Sequence, residues 1–96
     1  MSYKKEIESF LISQGCKREL SGFYSWFTAP NGHRFSVDIR DKDFLIINHK
    51  EPSGKNRDFC EPLTTPNLLA IAEGFILWML SEDWKWLQTN KNFITI

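Results

Sequence analysis

Cysteine is scarce: Cys16 and Cys60 are the only two in 96 residues, and they form neither a CxxC pair nor a metal-ligand spacing with the two histidines. That excludes a disulfide-built scaffold and a zinc ribbon, and it makes a reducing, cytoplasmic location the expectation. Charge of one sign is not in excess either. Twelve basic residues stand against twelve acidic ones, so bulk charge does not mark a strongly basic nucleic-acid domain. Residues 1–60 carry ten basic and eight acidic side chains, and residues 61–96 carry two and four. That split is too small to name a partner. No long hydrophobic run is present. The apolar stretch 68–80 is broken by Glu73 and falls short of the ~20 residues that a membrane helix needs. The opening Met1-Ser2-Tyr3-Lys4-Lys5-Glu6 leads into an amphipathic helix and not an apolar leader. Repeats, low-complexity tracts and interdomain linkers are missing, so one domain over residues 1–96 with no membrane contact is expected.

Aromatic residues are what the chain has in plenty: 15% of it, including four tryptophans. In a chain this short large rings are first a core signal, and second a supply of binding surface.

The residue pattern predicts an α+β fold of helix, three-stranded antiparallel meander and helix. Residues 3–14 place Tyr3, Ile7, Phe10 and Leu11 on one stripe, with Ser2 as N-cap, Gly15 at the C-terminal turn and Cys16 folding back on Leu11. Residues 23–29 are an aromatic strand. Ala29-Pro30-Asn31-Gly32 is a turn. Residues 34–40 alternate, with Phe35, Val37 and Ile39 on one side and Arg34, Ser36, Asp38 and Arg40 on the other. A third strand over 44–48 is apolar on both sides. Residues 49–65 read as one long loop. Thr65 as N-cap and Pro66 at the first helical position open a second helix. That helix is apolar around most of its circumference, which means deep burial or contact with another chain. Residues 81–88 extend it or start a short third helix, and residues 93–96 favour a final strand.

The order helix–strand–strand–strand–helix resembles that of the double-stranded-RNA-binding domain and of the small HicA-type toxins that cleave messenger RNA. Residues 7–39, with a helix ending in Gly15-Cys16, an aromatic strand, Pro30-Asn31-Gly32-His33-Arg34-Phe35 and an alternating strand, are similar to the toxin pattern. In that family a histidine on the aromatic strand carries the cleavage chemistry. The matching stretch here, residues 22–27, has none. The lysine run that opens the RNA-binding domain's last helix is likewise replaced by the uncharged Thr65-Pro66-Asn67-Leu68.

Candidate chemistry is sparse. His33 and His49 are expected to be ordinary surface histidines. Asp38, Asp41 and Asp43 gather acids around one turn, but Arg40 and Lys42 stand among them and the glycine and closing glutamate of a calcium loop are missing. No metal or cofactor is expected. Gly54-Lys55-Asn56 lacks the spacing of a phosphate loop, although Lys50, Lys55 and Arg57 form a basic loop patch. Tyr24 and Trp26 share one strand face, near Arg34 on the next strand.

The leading expectation is a small non-enzymatic, inhibitor- or adaptor-like interaction protein of phage or bacterial type. It would bind another protein or a second copy of itself through Tyr24, Trp26, Arg34, Trp84 and Trp86. The alternatives are a binder of nucleotides or single-stranded nucleic acid through the same rings and the basic loop, and a degenerate HicA-like ribonuclease using His33 or His49.

Overall fold

A computed structural model of the chain describes residues 2–21 and 24–81, with the backbone alone at Ser21 and Tyr24. The elements are α1 (Tyr3–Ser13), β1 (Lys17–Ser21), β2 (Tyr24–Thr28), β3 (Arg34–Arg40), β4 (Phe44–Lys50), β5 (Phe59–Pro62) and α2 (Leu68–Ser81). The five strands form one antiparallel sheet in sequence order. The fold is therefore α+β with the expected helix–sheet–helix order, but the three-stranded meander is corrected to five strands. No helix among the described residues is long and apolar enough to cross a membrane.

Local chemistry accounts for each boundary. Ser2 caps α1 by accepting from the Lys5 N–H. At the other end the Gly15 N–H donates to the Ile12 carbonyl and the Cys16 N–H to the Leu11 carbonyl. Gly15 takes a φ of +90° there, the left-handed turn that glycine makes at little cost. The 29–32 turn closes through the Gly32 N–H to the Ala29 carbonyl at 2.9 Å. The β3–β4 hairpin turns through Asp41 and Lys42, both at positive φ, with the Asp43 N–H donating to the Arg40 carbonyl. A left-handed Lys42 is strained, because its Cβ crowds the following carbonyl. Lys42→Gly is therefore expected to stabilise the protein by about 0.5–1 kcal/mol, read as a higher urea midpoint with an unchanged slope.

α2 begins later than the sequence suggests. Asn67 has a φ of +58°, so Thr65 and Pro66 lie in the preceding turn, where the Thr65 N–H donates to the Pro62 carbonyl. The expected long loop is also shortened, because β4 runs on to Lys50 and residues 59–62 join the sheet as an edge strand. The helical extension over 81–88 and the strand over 93–96 lie outside the described residues beyond Ser81.

The alternation in β3 sorts the sheet into two faces. Phe27, Phe35, Val37, Leu45 and Ile47 point to the helices and join Ile7 and Leu11 of α1 and Leu68, Ala72, Ile76 and Met79 of α2 in one core. Arg34, Ser36, Asp38 and Arg40 point away, as do their partners Lys50, Asn48, Ile46 and Phe44 on β4.

Candidate functional site

Three strands set the outer face of the sheet. β2 contributes Trp26, which follows from its position beside the inward Phe27. β3 contributes Arg34, and β4 contributes Asn48 and Lys50. Register pairs Thr28 with Arg34 and Arg34 with Lys50, so the cations fall beside the Trp26 ring. The Arg34 guanidinium carbon lies 5.0 Å from the ring centroid and the Lys50 ammonium 5.5 Å. Both are within range of the ring's negative face, and each such contact is worth about 0.5–1 kcal/mol at an exposed site. Two such contacts favour one orientation of the half-buried indole. The smaller Ser36 and the central Ile46 are buried on this face, which leaves contact to the longer side chains around them.

A hollow of about 200 Å³ adjoins the ring, lined by Trp26, Asn48, His49, Lys50, Asn56 and Asp58. The loop that closes it is held to β4. Lys50 and Asn56 form an isolated bridge, the Arg57 N–H donates to the His49 carbonyl, and the Asp58 carboxylate accepts from the His49 N–H at 3.1 Å. Its rim thus carries an aromatic face, a cation, a carboxylate and two carboxamides.

Directly behind the hollow, on the core side of β4, lie the two histidines. Both are fully buried, which corrects the expectation of surface residues. His33 Nδ1 and His49 Nε2 are 2.7 Å apart, a hydrogen bond in which one ring nitrogen donates and the other accepts. Their rings are stacked, with Phe35 and Phe75 against His49. Burial, and then the neighbouring His33, push the His49 pKa down to about 4; the Glu51 carboxylate and the Arg57 backbone oppose this, while the Arg57 charge adds to it. Glu51 is itself buried and meets Arg57 at 3.5 Å. Its second oxygen and His49 Nδ1 make no hydrogen bond among the described residues. Neither imidazole reaches the surface, so neither offers a ring nitrogen to an outside substrate in this conformation. Among the described residues no three His, Cys, Asp or Glu side chains converge as metal ligands would.

The structure thus brings Trp26 and Arg34 together and adds Lys50. It does not unite Lys50, Lys55 and Arg57 as a patch: Lys50 turns to Trp26, Arg57 turns to Glu51, and Lys55 is exposed on the loop. Tyr24 sits in register opposite Ser21. Trp84 and Trp86 lie outside the described residues. Sequence reasoning missed Asn48, Asn56 and Asp58 as neighbours of the ring. No local signal marks them, because the fold of the 50s loop onto β4 creates the hollow.

Comparison with protein-family models, with curated proteins and with solved structures found no match. The five-stranded sheet also departs from the three-stranded order on which the resemblance to the RNA-binding domain and the toxins rests.

Proposed function

We propose that the chain is a small non-enzymatic interaction protein, of inhibitor or adaptor kind, that grips a partner protein through the outer sheet face with Trp26 as the anchor. The observation that carries this reading is the Trp26 ring with Arg34 and Lys50 both over it, beside a small hollow. Tryptophan and arginine dominate the energetics of protein interfaces. A ring whose orientation two cations already favour has less freedom to lose on binding, so more of its contact energy survives as affinity. The hollow, at about 200 Å³, is below the ~300–1,000 Å³ of small-molecule sites and suits one side chain of a partner.

The nucleotide or single-strand reading would use Tyr24, Trp26, Arg34 and the 50–57 loop. Arg57 is engaged by Glu51 and Lys50 turns to Trp26, so among the described residues the loop cations do not line one groove along which a phosphate backbone would run. The ribonuclease reading requires His33 or His49 to leave the core.

The test is affinity capture from the cells that make the protein, with wild type, Trp26→Ala and Arg34→Ala as baits. A partner protein should be retained by the wild type and weakened at least tenfold by Trp26→Ala. Capture of nucleic acid that falls steeply with added salt would favour the second reading instead.

A further inference from the structure

α2 exposes a second surface, unrelated to Trp26. Its exposed positions are Ala70, Ile71, Gly74, Leu77, Trp78 and Ser81, with Asn67 just before the helix. Spacings of three and four put all of these on one stripe. Ile71 is 43% exposed, Leu77 45% and Trp78 41%, whereas Leu68, Ala72, Ile76 and Met79 on the opposite stripe are buried in the core. A helix with a complete buried face and a second apolar face outward has more apolar surface than its own sheet uses.

The exposed stripe is symmetrical about Gly74. A two-fold axis through that residue, with the helices antiparallel, sets each position against the one equally far on the other side. Ala70 then meets Trp78 of the second copy, Ile71 meets Leu77, and Asn67 meets Ser81. Small faces large, branched apolar faces branched apolar, and polar faces polar at the two ends. No charged residue is on the stripe itself; Glu73, partly exposed beside Gly74, is the one charge of α2 that the contact brings towards its own copy. At the axis, a Cβ built on Gly74 would meet no atom within 4 Å among the described residues, so a second helix has room to come close there. A two-fold contact requires this kind of self-complementarity, because the same patch must serve on both sides.

We infer that the chain self-associates as a two-fold dimer through the outer face of α2, with Gly74 of one copy against Gly74 of the other. The face is separate from the Trp26 surface, so dimerisation and partner binding are independent. A single helix crossing is smaller than the ~800 Å² per partner of a standard interface, so a weak, concentration-dependent dimer is expected.

Sedimentation velocity across roughly 1 to 500 μM should show mass rising from one chain to two. Gly74→Arg, at an exposed position with open space, should remain monomeric throughout while keeping the wild-type circular dichroism spectrum. Disulfide mapping in a Cys60→Ser background fixes the geometry. Helix axes 8–10 Å apart place facing Cα atoms about 3.5–5.5 Å from each other, which overlaps the spacing that a disulfide spans. Gly74→Cys should therefore oxidise to a covalent dimer. Ala70→Cys alone should not, and Ala70→Cys combined with Trp78→Cys should. A chain that stays monomeric at every concentration overturns the proposal; residues 82–96 or another protein covering the face would give that result. A dimer that Gly74→Arg leaves intact, or one cross-linked as readily by Ala70→Cys as by Gly74→Cys, also overturns it.

Discussion

Lowering the pH from 7 towards 4.5 is expected to weaken the fold, by up to about 3 kcal/mol through His49. An exposed imidazole in the unfolded chain titrates near 6.5, whereas His49 in the core is pushed down to about 4 by burial and by His33. Between these values the unfolded chain binds a proton that the native chain refuses. Stability therefore rises with pH across this window, is complete above about 6.5, and is lost progressively as the pH falls towards 4. Each unit of separation corresponds to about 1.4 kcal/mol. The effect is large against the ~5–15 kcal/mol that a domain has in total. Urea unfolding at a series of pH values measures it. A His33→Phe/His49→Phe double variant should lose most of the slope between pH 7 and pH 5, leaving only what the carboxylates contribute. Equal slopes in wild type and double variant would show that the pair does not couple to folding in this way.

The two faces of the sheet are expected to answer truncation very differently. Phe35 is fully buried near the start of β3, beside Phe27 in register and with its ring centroid 4.9 Å from that of His49. Phe35→Ala removes its buried surface, leaves a cavity, and loosens the histidine pair that leans on it. The expected cost is about 3–5 kcal/mol, enough to lower the urea midpoint severely or to leave the chain unfolded at room temperature. Trp26→Ala removes a half-buried ring whose neighbours are Arg34 and Lys50. It should cost about 1–2 kcal/mol in lost cation contacts and leave a cooperative fold. Comparable destabilisation by both changes would mean that Trp26 is a core residue, and the outer face would no longer be a binding surface.

Much of this arrangement is legible in the residues themselves. The alternation from Arg34 to Arg40 locates β3 and its two faces because one face is packed and the other is not. The Gly15 turn is equally legible, since few residues other than glycine take that conformation. The strands that escape sequence reading are the two edges. β1 is Lys-Arg-Glu-Leu-Ser, and its one large apolar residue, Leu20, is 76% exposed; a strand that buries nothing leaves no period to read. β5 has four residues and ends in proline, which the sheet tolerates because an edge strand has one unpaired side. Helix propensity misleads at Thr65-Pro66, where the left-handed Asn67 delays α2. The pairing of Trp26 with Arg34 follows from alternation on adjacent strands. The burial of His33 and His49 does not, because it depends on β4 running two residues beyond the expected 44–48 strand and on α2 laying Phe75 against His49. The outward Ile71, Leu77 and Trp78 are visible in the sequence only as a helix too apolar for one core.

The most direct test of the binding surface is native mass spectrometry of gently purified protein at low salt, with Trp26→Ala alongside. A partner protein is expected on the wild type in stoichiometric amount and should be missing from the folded variant. The same partner retained by both, or a nucleotide or oligonucleotide in its place on the wild type, would contradict a protein-binding role for the Trp26 face.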